Sequence, residues 1–141
     1  MFLYQVRIHV SEFDAVRIRV GVMPHALDTI MKVHHAKLVC QYDAFYGYCE
    51  EAEREGVEEY HLYEWTKSVI ENPEKREKYL KNFTVYVEDE QLYSEEIADS
   101  LYTKLSELDF IESIKKYNND PATNPHPPKL KRWLISPFLF T

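Results

Sequence analysis

Polar and apolar side chains alternate in "YQVRIHV", residues 4–10, and again in "VRIRVGV", residues 16–22, and both stretches are rich in Val and Ile. A period of two carried by β-branched residues predicts strands with one buried face. The polar link Ser11-Glu12-Phe13-Asp14 is short enough for a tight connection, so the two strands are predicted to pair as an N-terminal antiparallel hairpin. Arg17 and Arg19 would then share the face opposite Val16, Ile18 and Val20 and make it basic.

From Pro24 the period lengthens. Leu27, Met31, His34, Leu38, Tyr42, Phe45 and Cys49 recur at spacings of three and four, which predicts a helical stripe. The stripe fits one long helix or two broken near Tyr46-Gly47, and Gly56 is placed as a C-terminal stop. A second helix is predicted from about Val57 to Ile70. A third, short one starts with Asn72 as cap, Pro73 at its first position and Glu74 near the positive end of the dipole.

"FTVYV" returns to a period of two, with Phe83, Val85 and Val87 on one side and Thr84 and Tyr86 on the other. "SEEIADSLYTKLSEL" follows as a helix capped by Ser94, with Ile97, Leu101, Leu105 and Leu108 on one face. "DFIESIKKY" fits either a continued helix or a strand that completes a β-α-β unit, and the strand is the preferred reading. Together these elements predict a single α+β domain over residues 1–118: an antiparallel hairpin, a helical middle and a β-α-β-like C-terminal unit. Residues 119–141 form a Pro-rich linker and an apolar C-terminal arm.

That arm changes the functional picture. "NNDPATNPHPP" favours extended chain, and a linker of about ten residues reaches on the order of 30 Å at ~3.1 Å per residue. Beyond it stand Trp133, Leu134, Ile135, Phe138, Leu139 and Phe140, preceded by Lys129, Lys131 and Arg132. Burying those six apolar side chains gains about as much as ordering their backbone costs, so docking needs a preformed groove. The groove can belong to the same subunit, to a second copy or to another protein. The nine residues are the predicted protein-binding set.

Composition narrows the alternatives. The chain has 141 residues, is 45% hydrophobic, and carries eleven tyrosines and seven phenylalanines, enough for a core without metal or disulfide staples. Two cysteines, Cys40 and Cys49, are too few for a secreted disulfide framework and are expected to be reduced and buried. A formal charge of −7 argues against general nucleic-acid binding, because phosphate contacts need clustered Lys and Arg. No apolar run approaches the roughly 20 residues that span a bilayer, and "MFLYQVRIHV" lacks a basic leader. A soluble, cytoplasmic protein without membrane association is the expectation.

Motifs for catalysis are few. Three glycines in the whole chain leave no GxxxxGK[ST] or GxGxxG phosphate cradle, and no serine sits in a GxSxG elbow. Glu58-x-x-His61-x-x-Glu64 would place three metal-binding side chains on neighbouring turns of one helix, yet the second Glu-x-x-His of a di-iron bundle is missing. His34 lies on the apolar stripe and is read first as a satisfied core or interface histidine. His35 points about 100° away from it on a helix. Tyr42, Tyr46, Tyr60, Tyr63 and Trp65 are interleaved with glutamates, which favours half-buried packing over a stacking platform for bases.

The preferred reading is therefore a non-catalytic protein-binding or regulatory module, acting as a homo-oligomer and without a cofactor. Its acidic composition also resembles that of inhibitors encoded by phages and mobile elements, an analogy only. Two alternatives stand beside it: a metal-dependent enzyme using Glu58 and His61, and a small-nucleotide-binding module with Arg17 and Arg19 as its charge partners.

Overall fold

In the computed structural model, which describes residues 3–120 and Ala122, the chain runs β1 (Tyr4–Val10), α1 (Glu12–Arg19), α2 (His25–Val33), β2 (Ala36–Cys40) and α3 (Gln41–Glu55). It continues through a single 3-10 turn (Val57–Glu59), α4 (Tyr63–Glu71), α5 (Pro73–Leu80), β3 (Asn82–Val87), α6 (Glu95–Leu105) and β4 (Ile111–Asn118). The strands form one antiparallel sheet in the order β2-β3-β1-β4. The class is α+β, as the sequence pattern predicts, and the preferred strand reading of "IESIKKYN" is correct. The order is that of a split β-α-β unit, with β1 inserted between β3 and β4.

Register assigns each side chain to a face. Val6, Ile8 and Val10 of β1 join Phe83, Val85 and Val87 of β3 on one side, where Leu27 and Met31 of α2 and Ala98, Leu101 and Leu105 of α6 close the main core. On the opposite side Arg7 stands between Thr84 and Lys115, and His9 between Asn82 and Ser113. Residues 41–80 leave the sheet as three helices with a small core of their own, built from Phe45, Cys49, Val69 and Ile70. Because Cys40 pairs with Phe83, the chain leaves and re-enters the sheet at neighbouring positions.

Three expectations are corrected. The run Val16–Val20, read as the second strand of a hairpin, ends a helix instead, and β1 pairs with β3 and β4. Capping outweighs alternation there. Ser11 accepts from the Asp14 amide at 3.2 Å, and Gly21, at φ +86, closes the other end with Val22 N–H on Arg17 O at 2.9 Å and Gly21 N–H on Ile18 O at 3.0 Å. This is the Schellman arrangement, which needs a left-handed residue after the last turn.

The stripe from Leu27 to Cys49 is not one helix or two. It is interrupted by His35 at φ +53 and by β2, whose pairing with β3 overrides the helical spacing of Leu38 and Tyr42. α3 then runs unbroken through Gly47. The helix expected over 57–70 starts only at Tyr63, because Gly56 at φ +115 ends α3 and one 3-10 turn follows. Asn72 behaves as expected, accepting from the Glu74 and Lys75 amides at 3.0 and 3.2 Å, and Ser94 caps α6 through the Ile97 amide at 3.2 Å. Among the described residues no helix is long and apolar enough to cross a membrane.

Candidate functional site

The predicted arm residues Lys129, Lys131, Arg132, Trp133, Leu134, Ile135, Phe138, Leu139 and Phe140 all lie outside the described residues. Glu58, His61 and Glu64 fall in a 3-10 turn, a turn and the start of α4 respectively, so the single helix that would have aligned them does not form. Among the described residues no group of three or more His, Cys, Asp or Glu side chains is placed to hold a metal ion. His34 is a structural tie between two helices: its ring meets Ile30 O through Nδ1 at 2.8 Å and Ser100 Oγ through Nε2 at 2.9 Å.

Both cysteines are buried and free. Burial pushes the Cys40 thiol up and the Cys49 thiol from 9.0 to about 11, the opposite of what an activated nucleophile needs. Burial likewise raises the Tyr86 phenol from 10.0 to about 12. In each case the unfolded chain releases its proton at lower pH than the folded one, so stability is present below the unfolded value and is lost above it. Arg7 acts in the opposite direction, since burial lowers its guanidinium from 12.5 to about 10. Burial raises the Tyr93 phenol as well, so the raised groups outweigh the one lowered, and urea unfolding midpoints are expected to fall steadily as pH rises from 9.0 towards about 12.

The tyrosines of the middle segment pack as expected. Phe45 meets Trp65 and Tyr79 edge to face at 6.1 and 5.1 Å between centroids, and Tyr48 meets Tyr60 at 5.4 Å. The Tyr63 hydroxyl donates to Glu53 at 2.6 Å, and Lys67 donates to the same oxygen at 2.8 Å. These rings are occupied by one another and by their own carboxylates.

Two exposed surfaces stand apart from these contacts. The first is the outer face of α1, where Phe13, Val16 and Val20 follow at spacings of three and four; Phe13 is 69% and Val20 73% exposed. Only Ala15 and Ile18 of this helix are buried. Arg19 ties it to α3 through a bidentate pair with Asp43, at 3.0 and 2.8 Å.

The second is a pocket of about 390 Å3 on the sheet face that α2 and α6 leave uncovered. Its floor is β1, with Arg7 and His9; one wall is β4, with Lys115 and Tyr117; the other is α5, with Lys78 and Tyr79. Arg7 is held in place: its Nε donates to Gln5 Oε1 at 2.7 Å, and Gln5 in turn donates to Gln91 O at 3.1 Å. With its amide oxygen turned inward, Gln41 accepts from Arg7 Nη1. The Tyr117 ring lies 5.3 Å from the guanidinium carbon, and a guanidinium with a pKa of about 10 keeps its charge at neutral pH.

His9 is oriented as firmly. Asn82 Nδ2 donates to Lys78 O at 3.0 Å, leaving Asn82 Oδ1 to accept from His9 Nδ1 at 2.9 Å, while His9 Nε2 faces Glu112 Oε1 at 3.4 Å. The basic sheet face is therefore built from Arg7 and Lys115. Arg17 and Arg19, expected to supply it, lie on α1 instead. Alternation in β1 and β4 already set Arg7 and His9 against Val6 and Ile8, and Lys115 and Tyr117 against Ile114. What was missing was the pairing that brings the two sets together.

Comparison of the chain with protein-family models, curated proteins and solved structures gives no match.

Proposed function

We propose that the protein is a non-catalytic binding module that acts through protein contacts, with self-association as its primary mode. The observation that supports this reading is the exposed apolar stripe of α1. A helix two turns long that leaves Phe13, Val16 and Val20 in water while burying only Ala15 and Ile18 presents more apolar surface than it uses. The C-terminal residues Trp133 to Phe140 are the second half of the proposal. They need a ready-made apolar partner, and the α1 stripe offers one on the same or a neighbouring copy.

Light scattering of the full chain is expected to report more than one copy per particle, and Val20→Asp is expected to shift it towards one copy. The substitution puts a charge on a side chain that the fold leaves exposed, so the unfolding midpoint should move by no more than about 0.5 kcal/mol. A full chain that stays monomeric across the micromolar range would remove self-association from this proposal.

A further inference from the structure

We propose that the pocket between β1, β4 and α5 binds a nucleoside phosphate, with Arg7, Lys78 and Lys115 taking the phosphate and Tyr117 holding the base. This goes beyond the protein-contact reading and uses different residues.

Three observations support it. The cations come from three separate elements and face one cavity. Among the described residues neither Lys78 nor Lys115 pairs with a carboxylate, although five of the other seven described lysines do. Arg7 is buried and fixed by two glutamine side chains, so its planar fork is pre-organised rather than ordered on binding.

The aromatic wall on β4 selects among anions. Tyr117 stands on β4 beside Arg7, and an aromatic side chain accepts the face of any base, whereas the Tyr79 ring is already met by Phe45 and by Lys78 Nζ. About 390 Å3 is near the lower end of small-ligand pockets and suits one nucleotide unit. The charge of the whole chain decides between a free nucleotide and a strand. At −7 the surface repels a long polyanion, whereas the local cations act over a few ångströms and are enough for one phosphate. The ligand is therefore a free mononucleotide.

The test is calorimetric titration of the full chain with the four 5′-ribonucleoside monophosphates at about 0.15 M salt. Inorganic phosphate, the corresponding nucleosides and a single-stranded RNA pentamer serve as comparison ligands. At least one monophosphate is expected to bind about tenfold more tightly than phosphate or its own nucleoside, each of which loses one half of the contacts. Lys115→Ala and Lys78→Ala each remove one charge-assisted contact and should weaken that binding about tenfold while leaving the unfolding midpoint in place. Because Arg7 is buried and its loss can unfold the sheet, the exposed lysines carry the test. Absence of heat with every monophosphate at millimolar concentration overturns the proposal, as does binding that ignores both lysine substitutions. Phosphate binding as tightly as the nucleotide would reduce the pocket to an anion site, and a pentamer binding more tightly than any monophosphate would make the ligand a strand. Either result defeats the assignment.

Discussion

Tyr93→Phe is expected to cost about 2 to 6 kcal/mol of stability, although it removes a single oxygen atom. The Tyr93 ring is buried, and its hydroxyl sits between the two central strands, accepting from Val6 N–H at 2.7 Å and donating to Val85 O at 2.9 Å. Val6 and Val85 are register partners, so this hydroxyl is a rung of the β1–β3 ladder supplied by a side chain. Phenylalanine fills the same volume and leaves a buried N–H and a buried carbonyl without their partner, each at roughly 1 to 3 kcal/mol. Chemical denaturation of the two proteins gives the difference directly. A loss under about 0.5 kcal/mol would mean that the strands close the gap themselves.

Phe45→Ala is expected to cost about 3 to 5 kcal/mol, and to do so locally. Phe45 is fully buried at the centre of the helical insertion, in edge contact with Trp65 and Tyr79, and packs with Cys49, Val69 and Ile70 in a core separate from the main one. Hydrogen exchange should therefore accelerate in α3, α4 and α5 more than in β1 and β3. Equal acceleration throughout would show that the two cores unfold as one unit.

The elements legible in the sequence are those where local chemistry and tertiary structure agree. Asn72-Pro73 and Ser94 announce helix starts through hydrogen bonds made within a few residues, and β3 alternates because one of its faces packs on α2 and α6. α1 is hidden in the pattern because a helix of eight residues is too short for a period of 3.6 to outweigh the alternation of Val16, Ile18 and Val20 with two arginines. The signals that decide it are Ser11 three residues before Asp14 and Gly21 after the last turn, each a single residue against five that alternate. β2 was hidden because Leu38 and Tyr42 sit four apart by coincidence, and only β3 makes the segment a strand. The pocket depends on register. Arg7, Lys78 and Lys115 are far apart in the chain, and nothing local states that β1 lies between β3 and β4.

The insertion that supplies Lys78 and Tyr79 starts and finishes on paired residues of adjoining strands, Cys40 opposite Phe83, where α-carbons stand about 5 Å apart. A tight turn bridges that distance, so the span of residues 41–82 works as a cassette on a scaffold of four strands and three packing helices, α1, α2 and α6. The α5 wall of the pocket and Gln41, which holds Arg7, belong to the cassette, and the β1 floor and β4 wall belong to the scaffold. Exchanging the cassette would therefore change the α5 wall of the pocket, and a replacement has to keep the partners that Gln41 gives Arg7 and Asp43 gives Arg19.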